Sequence, residues 1–224
     1  MKKVFAFVAV AAALLVAGKA NAQIGVNAGY ASQSYINNYN NGNHTDTTSM
    51  TGFFIGANYN LNLTGDLNLS VGLQARYNTA SDSIQASLFG FAGSKVKTTQ
   101  TQILLDVPVL FNYGFNLTND LKASVFLGPT FSFAVKGNTN VQGSANVLGT
   151  SLGSGGKDYN WYASTDDGGY NYNALDISGT IGLCLDFTGI RLYGGYNMGL
   201  LNLHNSDNWT RKGSNIFVGV GYAL

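Results

Sequence analysis

Apolar and polar residues alternate along most of this chain, most cleanly between positions 67 and 77. There Leu67, Leu69, Val71, Leu73, Ala75 and Tyr77 are separated by Asn68, Ser70, Gly72, Gln74 and Arg76. Successive side chains of a strand point to opposite faces, so a period of two builds one apolar face and one polar face. The same pattern predicts eight strands in all, at about 24–33, 50–63, 67–79, 98–113, 121–135, 172–187, 190–201 and 215–224. The fourth carries Ile103, Leu105, Val107, Val109, Phe111 and Tyr113 on its apolar face. Pro108 falls on the other face; it has no N–H to give to a ladder, so a local bulge or kink is expected there.

The connections alternate in length. Tight turns follow the second, fourth and sixth strands, at Thr64-Gly65-Asp66, at 115–120 and at Thr188-Gly189. Long polar connections follow the first, third, fifth and seventh. That rhythm, with outward apolar faces, is the pattern of an even-stranded transmembrane barrel. A soluble β-sandwich would also alternate, but it predicts no such rhythm. The segment 136–171 is glycine-rich and too long for an ordinary connection, so it is expected to be functional or mobile.

The first residues read differently. Lys2 and Lys3 precede an apolar run from Val4 to Val16, and Ala20-Asn21-Ala22 supplies a small-x-small cleavage pattern. A secretory signal at 1–22 is therefore expected, with cleavage after Ala22 and a single barrel domain at 23–224. Without Lys2, Lys3 and Lys19, nine of the twelve basic residues remain against eleven aspartates and no glutamate. That near balance gives no support to nucleic-acid binding, which needs a concentrated basic patch. Only 10% of residues are charged, while Gly numbers 29 and Tyr and Phe 13 each. Such a composition suits a wall facing lipid with aromatic girdles at its rims.

Three segments, Leu104-Leu105-Asp106-Val107-Pro108-Val109-Leu110, Leu127-Gly128-Pro129 and the 191–203 strand with Tyr196-Asn197, give the chain a family likeness. It resembles the small outer-membrane β-barrel ("porin family") proteins of Gram-negative bacteria, related in architecture to the OmpA and OmpX barrels. The resemblance implies an all-β, eight-stranded antiparallel up-and-down barrel in the outer membrane, surrounded by its lipid. It also implies that Pro108 is tolerated in the fourth strand. The last strand would be read by the barrel-assembly machinery. Such barrels usually end in Phe; here Leu224 is last, with Tyr222 two before it. No peptidoglycan-binding domain is expected after that strand.

A barrel of eight strands has an interior filled by side chains. If Thr188-Gly189 is a two-residue turn, Asp186 faces Arg191 across it, inside the barrel. Arg76 and Asp106 lie at similar heights on neighbouring strands and form a second candidate ion pair. Either pair could be a gated polar constriction, but a packed, satisfied plug is favoured. Catalysis has weak support: His44 and His204 fall in loops near Asp46 and Asp207, with no nucleophile motif beside them. Cys184 is the single cysteine and reads as a small buried side chain. Gly153-Ser154-Gly155-Gly156 lacks the Lys-Ser/Thr of a phosphate loop, and Asp166-Asp167-Gly168 lacks the remaining ligands of a calcium loop. No catalytic residue, metal or cofactor is expected. Trp161, Tyr159, Tyr162, Tyr170 and Tyr172 crowd the long connection and suit either a rim girdle or a partner-binding surface. The expected role is envelope structure or surface interaction through long external loops, the surface ligand being open. The alternatives are a narrow pore for small solutes and, with less support, a lipid-A-modifying enzyme.

Overall fold

The structure, a computed structural model, describes residues 22–39, 44–88, 92–147, 150–204 and 209–223. The expected signal segment lies outside these residues except for Ala22, and so does Leu224. Among the described residues there are nine strands: β1 (Ala22–Tyr39), β2 (His44–Thr64), β3 (Leu67–Leu88), β4 (Ala92–Asn116), β5 (Leu121–Val147), β6 (Thr150–Asn160), β7 (Leu175–Phe187), β8 (Ile190–Gly199) and β9 (Trp209–Ala223).

All neighbours are antiparallel, and eight strands close into a ring in which β5 is followed by β7. Closure comes from β1 against β9, with Ala28 opposite Val220 and Tyr30 opposite Val218. β6 stands outside the ring and pairs with the upper half of β5, from Asn138 opposite Asn160 to Val147 opposite Thr150. The segment expected as a free connection is thus largely a hairpin. It was not read as strands because both of its faces are polar or glycine-rich.

The outward faces are largely those the alternation predicts, although Val107 and Tyr59, expected on them, are only 4% and 7% exposed. Phe53 and Ile55 on β2 are 61% and 64% exposed, while Phe54 between them is 4% exposed. Ile181 and Leu183 on β7, and Ile216, Val218 and Val220 on β9, are likewise exposed. Together they make a continuous apolar belt, a surface that is stable only against hydrocarbon. No helix among the described residues is long and apolar enough to cross a membrane, which says nothing of strands.

Three local features position the interior. At the β7–β8 turn Thr188 and Gly189 both have positive φ, 49° and 89°, as a two-residue type I′ hairpin requires. The Asp186 carboxylate accepts the Gly189 N–H at 3.1 Å and braces that turn. Around Pro108 the pairing lapses on both sides, and the register resumes unshifted on β3, from Val71 opposite Val109 to Gln74 opposite Asp106. Of the bulge or kink expected at Pro108, the bulge is absent, and the irregularity there is this lapse in pairing. The shift lies at Ile103/Leu104, where β5 holds Val135 as its extra residue. Gly72 faces Pro108, and a Cβ there would come within 2.9 Å of the ring. A glycine opposite the proline, not a bulge, makes room for it.

At the end away from the tight turns, β3, β4, β5 and β6 continue beyond the ring as a four-stranded sheet. Ser83, Lys97, Gln142 and Gly156 lie in register across it. Ile84, 75% exposed, and Val96 lie on the opposite face.

Candidate functional site: the barrel interior and its covered mouth

The inward residues form layers from the turn end to the loop end. Nearest the turns, Arg191 Nε lies 2.8 Å from Asp186 Oδ2. Both side chains are about a quarter exposed, and water screens this pair.

Above it, an amide relay runs along one wall. Gln74 Nε2 donates to Asn27 Oδ1 at 3.2 Å, Asn27 Nδ2 to Asn58 Oδ1 at 3.2 Å, and Asn58 Nδ2 to Asn60 Oδ1 at 3.0 Å. The facing wall is aromatic. Phe54 lies 6.3 Å from both Tyr193 and Phe217, and Phe217 stacks on Phe126 at 6.4 Å. Glycines make room for these rings. A Cβ at Gly219 would fall 2.7 Å from Tyr193 and 2.9 Å from Phe54, and one at Gly195 would fall 2.7 Å from Phe217. The two walls enclose a cavity of about 110 Å³.

The middle layer is ionic. Arg76 and Asp106, each 4% exposed, meet with Nε 2.9 Å from Oδ2, and Nη2 donates to Oδ1 at 3.1 Å. Arg76 Nη1 donates to Gln33 Oε1 at 2.9 Å. With the Asn215 amide turned so that its oxygen faces the guanidinium, Nη1 also reaches that oxygen at 2.9 Å. Ion pair and amides together cross the lumen from β4 through β3 to β1 and β9.

The mouth is covered. After β6 the chain turns back over the ring, and Trp161 becomes 2% exposed, packed with Tyr35, Met50 and Leu203. Its indole Nε1 donates to Thr139 Oγ1 at 2.8 Å. Arg211 on β9 sits at the centre: its guanidinium lies 4.0 Å from the Tyr35 ring centre, 4.6 Å from Tyr172 and 5.3 Å from Trp161. Arg211 Nη1 donates to Asn37 Oδ1 at 2.8 Å. A desolvated guanidinium among aromatic faces is held by their quadrupoles as well as by its hydrogen bond. Beneath it Tyr35 donates to Gln102 Oε1 at 2.7 Å, and Gln102 Nε2 donates to Tyr162 Oη at 3.1 Å. Burial raises the Tyr162 and Tyr172 phenols above their ordinary value, so both stay protonated.

The residues singled out from sequence thus fall in two separate layers of the lumen, with Asp186 beside Arg191 and Arg76 beside Asp106. Sequence reasoning missed Arg211, which the expected last loop contained, and it read Trp161 as part of a rim girdle or a partner-binding surface, not as a buried cover. The signal available was the run of aromatic residues at 159–172. The His44 ring lies tilted 5.9 Å from that of Tyr39 at the end of the β1–β2 hairpin. His204 lies against Tyr172 and Trp209, at 5.5 and 4.9 Å. Asp207 lies outside the described residues. Among the described residues no group of three His, Cys, Asp or Glu side chains could hold a metal ion. Cys184 is half-buried on the lumen face, opposite Tyr193 and Ser124.

The family model described as outer membrane protein beta-barrel domain matches residues 17–205. Among solved structures, the chain is similar to Ail, the attachment invasion locus protein of Yersinia pestis. The identity is 14%, with 91% of this chain and 99% of that chain covered and a TM-score of 0.35. For Neisserial surface protein A the values are 11%, 91%, 99% and 0.37. For an outer membrane channel of Pseudomonas putida F1 they are 10%, 93%, 97% and 0.30. No curated protein matches the chain.

Proposed function

We propose a surface-interaction role for this chain, which belongs to the outer membrane protein β-barrel domain family and sits in the outer membrane. The observation that carries the reading is the contrast between the lumen and the projecting sheet. The lumen is crossed by Arg76 and Asp106 and covered by Trp161 and Arg211. The β3–β6 sheet stands beyond the ring with residues of both faces exposed. A filled eight-stranded barrel is a poor conduit. A rigid sheet carried on it is a good platform, because ordered strands lose little freedom when a partner binds.

In this reading the tight turns face the periplasm and the projecting sheet faces outward, as the asymmetry of such barrels requires. Residues 1–22 act as a signal cleaved after Ala22, and 23–224 form the barrel domain. The barrel-assembly machinery reads the last strand through Tyr222 and Leu224. The Asp186–Arg191 and Arg76–Asp106 pairs order the lumen and do not gate a pore. No catalytic step is assigned.

The test pairs two measurements. Purified protein in planar bilayers is expected to give no stable conductance; reproducible unitary currents would favour the pore reading. Cells displaying the full chain are expected to adhere to protein- or glycan-coated surfaces better than cells displaying a barrel whose β3–β4 and β5–β6 hairpins are shortened to the ring. Equal adhesion across the panel would overturn the surface role.

A further inference from the structure

The turn-end half of the lumen holds a built cavity that the surface role does not use. We infer that this cavity binds a small, neutral, polyhydroxylated solute of about monosaccharide size. Three observations lead there.

The first is charge. The ionised groups lining the cavity are compensated: Arg76 by Asp106 at 2.9 Å, and Arg191 by Asp186 at 2.8 Å. A charged ligand would have to separate a pair, so the site favours a neutral one.

The second is hydrogen-bonding capacity. Within the relay of Gln74, Asn27, Asn58 and Asn60, each donating amide spends one N–H on its neighbour. An amide has two N–H donors and two acceptor lone pairs, so every member keeps capacity toward the cavity. Tyr193 and Asn197 line the same space, and Tyr193 Oη and Asn197 Oδ1 are buried with no hydrogen-bond partner. Buried polar atoms of this kind call for a partner in the space they border. A wall that both donates and accepts matches hydroxyl groups, which do the same.

The third is shape. Opposite the amides stand the Phe54, Phe217 and Tyr193 rings, held by the glycines beneath them. An aromatic face against a polar wall suits a molecule with an apolar C–H face and a hydroxyl rim, as a pyranose has. A cavity of about 110 Å³ holds roughly four waters at about 30 Å³ each, which a small ring lying against the aromatic wall would displace. The Arg76–Asp106 layer closes it toward the loops, so it is a pocket and not a passage.

The experiment uses the full chain, refolded in detergent, with glucose, galactose, arabinose and glycerol as probes. Saturation-transfer NMR reads transfer from aromatic protein protons to the solute. At least one pyranose is expected to bind with a dissociation constant of about a millimolar, the range open to a dozen heavy atoms. Tyr193→Phe keeps the ring and removes the hydroxyl; it is expected to weaken binding about five-fold or more, and Asn197→Leu likewise. Trp161→Ala, in the mouth, is expected to leave binding unchanged. Cyclohexanol, of similar size with one hydroxyl, is expected to bind more weakly than the pyranose. The proposal falls if no probe shows transfer, for then the cavity holds water only. It also falls if cyclohexanol binds best, or if Trp161→Ala rather than Tyr193→Phe abolishes binding.

Discussion

Removing Asp106 is the sharpest perturbation of the lumen. Asp106→Ala leaves the Arg76 guanidinium 4% exposed in the middle layer with its carboxylate gone. It loses the Nη2–Oδ1 hydrogen bond of 3.1 Å and the 2.9 Å approach of Nε to Oδ2. Its remaining hydrogen-bond partners are neutral, the Gln33 oxygen at 2.9 Å and the Asn215 amide, and the Asp176 carboxylate of β7 acts on it only through space. Breaking a buried pair from one side costs about 3–5 kcal/mol, because the stranded charge stays desolvated. Replacing both partners removes that penalty, so Arg76→Met with Asp106→Leu should lie within about 1.5 kcal/mol of the native protein. Asp186→Ala provides the contrast. Its pair is about a quarter exposed, the ion pair itself contributes no more than about 1 kcal/mol, and loss of the turn brace adds about as much again. Urea unfolding of the refolded protein in lipid vesicles, followed by the gel mobility of the folded barrel, measures all three. Two outcomes refute the reasoning: Asp106→Ala costing under about 1 kcal/mol, or the double variant falling as low as the single.

Other expectations follow from the same layers. Gly219→Ala drives a Cβ to 2.7 Å from the Tyr193 ring and should cost about 1–3 kcal/mol by overpacking. Gly143→Ala, where a Cβ meets nothing within 4 Å, should stay within about 0.5 kcal/mol, and equal costs in urea unfolding would remove the ring-on-glycine argument. Trp161→Ala empties a side chain 2% exposed and should lower the local opening free energy of 161–172 by about 3–5 kcal/mol. Hydrogen exchange reads this, and unchanged protection there would refute the covered mouth. Burial, with Arg211 adding to it, holds the His204 imidazole below its ordinary value of 6.5. A base with a lowered folded pKa is protonated more readily once its segment opens. The closed mouth therefore keeps its full stability above that ordinary value and loses part of it as pH falls below. Protection factors of 161–172, corrected for intrinsic rates, should drop between pH 7 and pH 5 and be flat in His204→Gln.

The reach of the sequence follows from which physical constraint each element answers. Outward faces answer to lipid at every second residue, so Ile55, Leu73, Leu183 and Val218 could be read one strand at a time. The Asp186–Arg191 contact was legible because a two-residue turn fixes its register. β6 was not, since a strand wet on both faces needs no alternation, and its ladder to β5 leaves no trace in hydropathy. The bulge at Val135 escaped for a related reason. Pro108 carries an obvious chemical flag, yet Gly72 opposite it removes the need for a bulge, and that pairing exists only in the folded register.

The same argument explains why the interior looks polar in sequence and aromatic in space. A closed eight-stranded ring must fill its lumen, and inward positions are rationed among eight short rows. Phe54, Phe126, Tyr193 and Phe217 fill one wall only because Gly29, Gly182, Gly195 and Gly219 stand where their rings arrive. Each glycine weakens its own strand by roughly 0.5–1 kcal/mol relative to alanine. Each buried ring contributes several times that if it is packed. Ring and glycine are therefore one unit split between strands, and neither is interpretable alone. If that coupling is real, Phe54→Ala and Gly219→Ala should not add. Once the Phe54 ring is gone, one of the two rings above Gly219 has left, and the added methyl should cost measurably less than in the native barrel. Additive costs in a double-mutant cycle would mean that the glycines are set by backbone twist and that the rings merely occupy the space left over.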